Sequence, residues 1–207
     1  MSGRTMNNQI LSRALAALLL LAAPVSLLSG CNQASETPPL ADAKIGGPFT
    51  LTDQDGRKVS DTDFAGKYRL IYFGYTFCPD VCPVDVQNLM KGYKQIEASN
   101  PVLAAKIQPI FITVDPARDT PAVLKQFVGA FHPKLIGLTG SEAEIAAVAK
   151  QFAIFYKKQD GTPGTPGYLV DHSRQAMLFD PQGKPLALIA QDKDAATVVA
   201  DIERWAH

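Results

Sequence analysis

The sequence predicts an α/β fold in which helices flank a central mixed sheet, with a β-hairpin extension on its N-terminal side. Short apolar runs, typical of buried strands, alternate with longer segments whose apolar residues recur at helical spacing. Asp55-Gly56 separates two strand-like segments, which is a hairpin signal. A second pair of strand-like segments flanks the turn at residues 180–183. The 207 residues are enough for one domain with a sizeable core.

The first 30 residues are typical of a secretory signal peptide. Arg4 and Arg13 supply the positive end, and the apolar stretch from Ala14 to Leu28 follows. Leu28-Ser29-Gly30-Cys31 resembles a bacterial lipobox, in which the cysteine is lipidated. We therefore expect a lipoprotein-type signal peptide at 1–30 and lipidation at Cys31. The alternative is an uncleaved signal anchor in which Cys31 has no role.

Residues 31–44 are predicted to be a tether, because they are polar, contain Pro38-Pro39 and lack an apolar period. The folded domain is expected at 45–207, held on the extracytoplasmic, periplasmic side of a membrane. Lys and Arg number 20 and Asp and Glu also number 20, so the formal charge is zero, with no basic run. This balance argues against a nucleic-acid partner.

The first half of the domain is predicted from apolar patterning and turn residues. An amphipathic helix from Val84 to about Ala98 carries Val86, Leu89, Met90 and Tyr93 on one face. The predicted strands are Phe49–Thr52, Lys58–Ser60, Tyr68–Tyr72 and Ile107–Val114.

The second half begins with Asp119-Thr120-Pro121, a cap followed by proline that opens a helix. Ser141 and Glu144 form a capping-box pattern at the start of a helix extending to Phe152. Residues 157–167, with two Thr-Pro-Gly triplets, are expected to be a loop. The remaining predicted elements are strands at 135–138, 168–170, 176–179 and 185–190 and a helix at 195–205. This order is that of a thioredoxin-like sandwich.

The decapeptide GYTFCPDVCP, Gly74–Pro83, joins a predicted strand to a predicted helix and holds Cys78 and Cys82. At the N-terminus of a helix, exposed N–H groups and the positive dipole end favour thiolate over thiol. A thiolate is both the nucleophile of disulfide chemistry and a ligand of soft metals. The spacing alone leaves three interpretations open: a redox pair, a metal site and a structural pair.

Two further motifs accompany the cysteines: Val114-Asp115-Pro116-x-Arg118-Asp119-Thr120-Pro121 and Leu169-Val170-Asp171-His172-Ser173. Together the three motifs resemble the Sco/SenC family of copper-binding thioredoxin-like proteins. The resemblance implies that Cys78, Cys82 and His172 bind one copper ion. It also implies delivery of copper to the dinuclear centre of cytochrome c oxidase subunit II, or reduction of that centre's cysteines.

Copper chemistry agrees with that ligand set, because copper(I) is soft and accepts two thiolates and one imidazole. Copper(II) is a second oxidation state to consider. A structural zinc site would require a fourth ligand, and no obvious fourth ligand is present. His132 and His207 are expected to be structural.

Asp115, Arg118 and Asp119 follow a predicted strand at the same sheet edge as the cysteines. They are candidates for docking a partner near the copper, or alternatively form a helix cap with a local ion pair. Asp171 is expected to be structural, because adjacent strand residues point to opposite faces.

The sequence thus favours a membrane-tethered copper metallochaperone over an enzyme. The alternative is a thiol–disulfide oxidoreductase that keeps a partner's cysteines reduced, and a peroxide-reducing relative or a copper-dependent redox sensor also stays open.

Overall fold

The computed structural model describes residues 36–159, 161 and 167–207. The predicted signal peptide, Cys31 and the triplet residues 162–166 lie outside the described residues. Residues Thr37–His207 form one compact unit. In the part of the chain that the structure describes, no helix is long and apolar enough to cross a membrane.

The described residues form a seven-stranded mixed sheet and a separate two-stranded ribbon. The strands are β1 Thr50–Asp53, β2 Lys58–Ser60, β3 Tyr68–Gly74, β4 Ile107–Thr113, β5 Ile136–Thr139, β6 Tyr156–Lys158, β7 Val170–His172, β8 Ala176–Phe179 and β9 Pro185–Ile189. The order in the large sheet is β2-β1-β5-β4-β3-β8-β9, and β6 pairs with β7 in the ribbon. The β3–β4 and β4–β5 pairs are parallel and the other pairs are antiparallel. This arrangement confirms the predicted mixed sheet and the N-terminal hairpin.

Two of the helices begin where the capping signals placed them, and a third begins at the predicted Ala195. The helices are α1 Val81–Ser99, α2 Pro101–Lys106, α3 Pro121–Gly129, α4 Glu142–Gln151 and α5 Ala195–Trp205, with a 3₁₀ helix at Asp61–Phe64. Thr120 caps α3 by accepting the Val123 N–H, and Ser141 and Glu144 form the predicted capping box of α4. Asp194 caps α5 through the Thr197 N–H. Local sequence therefore determines these helix starts.

The core lies on both faces of the sheet. On one face Tyr72 and Phe111 contact each other, and Phe111 packs against Phe127 of α3 at 5.0 Å between ring centroids. On the other face Phe73 packs against Phe152, just after α4, at 5.5 Å. The β3 strand is buried along its whole length. It therefore gives the loop that follows Gly74 a rigid base.

Several parts of the prediction are corrected by the structure. The strand predicted at 168–170 is observed at Val170–His172, and α1 begins at Val81, three residues before the predicted Val84. Lys157 and Lys158 were expected in a loop, but they belong to β6, which pairs with the strand that ends at His172. The short helix α2, which begins at Pro101 and is capped by Asn100, was not predicted. Within the predicted tether, the Leu40 N–H donates to the Leu186 carbonyl at 3.0 Å, so this part of the tether contacts the folded unit.

Candidate metal centre

The cysteine loop leaves the carboxyl end of β3 through Gly74, where a side chain would not fit. A Cβ at Gly74 would lie 2.9 Å from the Tyr72 ring and 3.2 Å from Cys82 Sγ. Glycine thus lets the Cys82 sulfur pack directly against the end of the strand. The loop is then held by Asp119, whose carboxylate accepts the Thr76 N–H at 3.0 Å and the Thr76 hydroxyl at 2.6 Å.

Both cysteines are free thiols at the start of α1. Cys82 is the second residue of this helix and is fully buried, whereas Cys78 precedes the helix and is partly exposed. The Cys82 N–H points at Cys78 Sγ, with 3.5 Å between nitrogen and sulfur. The N-terminal position expected for the pair is thus confirmed for Cys82, and Cys78 receives an N–H group of the first turn.

The two thiols differ strongly in acidity. The hydrogen bond from the Cys82 side chain, with backbone N–H groups of Cys82 and Asp80, holds the pKa of Cys78 well below its usual range against the opposing effect of burial. That same bond and burial raise the pKa of Cys82 far above its usual range. One shared proton therefore stays on the buried Cys82, and Cys78 presents a thiolate at neutral pH.

His172, the last residue of β7, lies against this pair. Its Nε2 is 3.1 Å from Cys82 Sγ, although 90 residues separate the two in the chain. Its Nδ1 is 2.8 Å from the Ser173 carbonyl oxygen, which can only accept a hydrogen bond. Nδ1 therefore donates to this carbonyl, and Nε2 faces the sulfur.

Two tyrosines fix the plane of the imidazole. The Tyr72 and Tyr75 rings meet the His172 ring edge-on, with centroid distances of 6.4 Å and 5.8 Å. Asp171 is exposed and accepts a hydrogen bond from Gln159, so the ring is oriented by the Ser173 carbonyl and not by Asp171. The argument that Asp171 and His172 point to opposite faces therefore agrees with the structure.

Cys82 and His172 stand nearer to each other than two ligands of one metal ion would. Among the described residues, no group of three or more His, Cys, Asp or Glu side chains is already arranged to hold a metal ion. Bond lengths of about 2.3 Å to sulfur and about 2.0 Å to nitrogen, at trigonal angles, put the two donors about 3.7 Å apart. The observed distance between Cys82 Sγ and His172 Nε2 is 3.1 Å. A metal ion would have to separate the two donors by a little over half an ångström.

An ion pair between the buried Asp85 and the partly exposed Arg174 joins the histidine loop to the cysteine helix. Asp85 of α1 is fully buried and accepts the Tyr72 hydroxyl at 2.8 Å. It also receives Nη2 and Nε of Arg174 at 2.8 Å and 3.1 Å. Arg174 follows His172 by two residues, so this bidentate pair limits how far His172 can move from Cys82. Sequence analysis did not identify this pair.

The acidic residues proposed for partner docking turn inward. Asp115 and Asp119 are 4% and 0% exposed. Asp115 pairs with Arg118 and accepts the Tyr168 hydroxyl, while Arg118 packs over the Tyr168 ring at 3.7 Å. These contacts are internal, so the docking role stays a prediction, and of the three residues only Arg118 keeps a partly exposed side chain.

Cys78 and His172 open onto a cavity of about 500 Å³. Its wall includes Pro79, Leu169 and Arg174, and Phe77 beside it is half exposed. The other two histidines lie elsewhere. His132 pairs with Glu97 at 3.0 Å, and the His207 backbone contacts the Tyr68 hydroxyl. Of the three histidines, only His172 lies with the cysteines.

Comparisons with known proteins agree with this geometry. The SCO1/SenC family profile matches residues 37–207. The mitochondrial SCO2 protein of Saccharomyces cerevisiae is 36% identical over 87% of this chain, and the match spans 61% of the yeast protein, so less than two thirds of its length is represented.

Solved structures match closely as well. Bradyrhizobium japonicum ScoI with copper bound is 38% identical, with a TM-score of 0.70 over 78% of this chain and 99% of that one. BsSco, described as having a disulfide switch and as a member of the Sco family of cytochrome c oxidase assembly proteins, is 26% identical, with a TM-score of 0.58 over 76% of this chain and 90% of that one. These likenesses confirm the predicted thioredoxin-like fold. Because the family profile covers nearly all of the described residues, the chain belongs to the SCO1/SenC family.

Proposed function

We propose that the chain binds one copper ion through Cys78, Cys82 and His172 and transfers it to a copper-accepting protein during cytochrome c oxidase assembly. The observation that carries this proposal is the 3.1 Å distance between His172 Nε2 and Cys82 Sγ, with Cys78 beside them. Two sulfurs and one imidazole form a soft donor set that suits copper(I). The copper-bound relative from Bradyrhizobium supports copper as the metal.

The asymmetry of the two thiols suits loading and release. Cys78 is partly exposed and presents a thiolate, so it makes the first contact with an incoming ion. Binding then releases the proton of Cys82 to solvent, because only a thiolate ligates. On the way out, the exposed Cys78 is also the ligand that a partner's donor atom reaches first. The dinuclear copper centre of cytochrome c oxidase subunit II is the acceptor that we propose.

We further propose that residues 1–30 are a lipoprotein-type signal, that Cys31 is lipidated, and that the tether through residue 44 holds the domain 45–207 on the extracytoplasmic side of a membrane. Leu28-Ser29-Gly30-Cys31 supports this proposal. The intact mass of protein extracted from membranes tests it, since a mature chain without acyl mass contradicts the proposal.

The second candidate function is thiol–disulfide exchange with a partner protein. It is favoured by the low pKa of Cys78 and by the free state of both thiols. The low pKa supplies the attacking thiolate, and Cys82 would then resolve the mixed disulfide. The relative with a disulfide switch is compatible with this chemistry.

His172 separates the two candidates, because dithiol exchange does not require an imidazole ligand. We expect His172→Ala to weaken copper binding about a hundredfold or more, a loss of about 2.7 kcal/mol, while both thiols stay titratable. The experiment compares copper retention against a competing chelator, reduction of a disulfide substrate, and oxidase assembly in cells that lack the wild-type protein. His207→Ala is the matched control.

If His172→Ala loses both copper retention and oxidase assembly but keeps reductase activity, the result supports the copper-transfer function. Assembly that survives His172→Ala but fails in Cys78→Ser and Cys82→Ser supports the thiol-exchange function instead.

A further inference from the structure

A second cavity lies at the opposite end of β3 from the cysteines. Its volume is about 220 Å³. Arg69 and Ile71 of β3 form its floor, and Phe179 lies directly across from Arg69 on β8. Five residues of strand, about 17 Å, separate Arg69 from Gly74 at the metal centre. A molecule bound in this cavity would therefore not touch Cys78, Cys82 or His172.

Arg69 is a buried cation without an acidic partner. The residue is only 6% exposed to solvent. Two of its five N–H groups make long bonds to backbone carbonyls, at 3.3 Å to Asp180 and 3.2 Å to Asp61. In the described part of the chain its Nε has no hydrogen-bond partner, and no carboxylate forms an ion pair with it. A buried guanidinium in this state is short of acceptors.

The two nearest acidic side chains are occupied by backbone groups. Asp61 accepts the Phe49 N–H, and Asp180 accepts the N–H groups of Gln182 and Lys184. Their charges act on Arg69 at a distance, but burial outweighs them and lowers the pKa of the guanidinium. The Nη–H groups of Arg69 that make no bond to the Asp61 and Asp180 carbonyls thus remain available to a ligand, whereas Nε is fully buried.

The rest of the cavity combines an apolar wall with a polar rim that includes Asp61 and Gln182. Phe49, Phe152 and Phe179 form the walls together with Ile71. Gly46 closes the rim with a positive φ of 89°, and a Cβ there would lie 2.9 Å from the Phe179 ring. The ligand must therefore combine one acceptor group for the guanidinium with a small apolar body.

We propose that this cavity binds a small monocarboxylate with an aromatic or short aliphatic body. The two carboxylate oxygens accept Nη–H groups of Arg69, a paired geometry in which arginine binds carboxylates. The apolar body packs against the three phenylalanines. A single negative charge suits the site better than phosphate, because the charges of Asp61 and Asp180 repel a dianion more strongly.

Amide chemical shifts of the ¹⁵N-labelled full-length chain in detergent test this proposal, with benzoate, acetate and inorganic phosphate as probes. We expect saturable shifts at Gly46, Gly47 and Gly183 with benzoate, in the millimolar range, and weaker binding of acetate and phosphate. Copper loading should be unchanged by benzoate.

Variants at the cation identify the contact. Arg69→Met should weaken benzoate binding about tenfold or more. Arg69→Lys keeps the charge without the paired donors, so its benzoate affinity should lie between those of the wild type and Arg69→Met. Lys67→Met removes an exposed cation nearby and should bind as the wild type does. If Arg69→Met does not fold, the wild-type titration and Arg69→Lys still decide.

The proposal is overturned if the wild type shows no saturable shifts, which would leave Arg69 hydrated by water alone. Phosphate binding as tight as benzoate, or equal benzoate affinity in wild type and Arg69→Met, would overturn it as well.

Discussion

Replacement of Asp119 by alanine should destabilise the reduced protein and loosen the cysteine loop. The Asp119 carboxylate accepts three hydrogen bonds, from the Thr76 N–H at 3.0 Å, the Thr76 hydroxyl at 2.6 Å and the Thr113 hydroxyl at 2.6 Å. Asp119 and Thr113 are both fully buried. Alanine would therefore leave donors without water or protein acceptors.

The size of the effect follows from these contacts. Hydrogen bonds to charged groups contribute about 1.5–3 kcal/mol each, and they are not additive when they share one carboxylate. Burial raises the pKa of Asp119, so the charged form is itself disfavoured in the fold, and its removal offsets part of the loss. We expect a net loss of about 3 kcal/mol in the free energy of unfolding, or about 6–12 °C in Tm.

Asparagine at this position is the matched control. Its amide oxygen can replace the Asp119 oxygen that accepts both the Thr76 N–H and the Thr113 hydroxyl. Its NH₂ group then faces the Thr76 hydroxyl, which can rotate and accept. Asp119→Asn should therefore cost about 1 kcal/mol or less.

Urea unfolding of the reduced protein, followed by circular dichroism, measures both variants. The loop should also respond, so Cys78 in Asp119→Ala should lose part of its thiolate character and react more slowly with iodoacetamide at pH 6. If Asp119→Ala stays within about 0.5 kcal/mol of wild type, the carboxylate does not hold the loop. If Asp119→Asn costs as much as alanine, charge and not acceptor geometry is responsible.

Two further predictions concern the metal centre. Arg174→Met removes the pair with Asp85 that holds the His172 loop to α1, and it should weaken copper(I) binding about tenfold. The control Lys193→Met removes an exposed cation and should leave copper(I) affinity unchanged. Equal copper(I) affinity in Arg174→Met and wild type would contradict this positioning role. Because the pKa of Cys78 is lowered and that of Cys82 is raised, alkylation at Cys78 should stay nearly constant from about pH 8 to 6, where an ordinary thiol slows about tenfold per unit. Stability should follow the same shifts: the Cys78 contribution is present above the unfolded pKa of about 8.5 and is lost as pH falls toward the lowered folded value. Mass spectrometry of labelled peptides would refute the assignment if Cys82 reacted first.

Local chemistry explains which parts of the fold the sequence predicts. The helices that start at Pro121 and Glu142 can be predicted from the sequence, because each start depends on a capping residue and on a proline or glutamate within the next few residues. The strand β6 is different, because Tyr156–Lys158 is three residues long and exists only as a partner of β7. No period distinguishes so short a segment from a loop.

The metal centre shows the same division. Cys78, Cys82 and His172 were recognised from their motifs, and the structure brings them together. The ion pair between Asp85 and Arg174 was not predictable from the sequence, because 89 residues separate the two and neither lies in a recognisable local motif. The inward direction of Asp115 and Asp119 was also not predictable, because strand order shows which edge they occupy but not which way their side chains turn.

X-ray absorption of the reduced, copper(I)-loaded protein tests the central claim most directly, because it reads the atoms bound to the metal. Two sulfur donors and one nitrogen donor are expected in the wild type. His172→Ala should lose the nitrogen and keep both sulfurs, while His207→Ala should match the wild type. A spectrum with sulfur donors alone in the wild type, or one unchanged by His172→Ala, would contradict the proposed copper site.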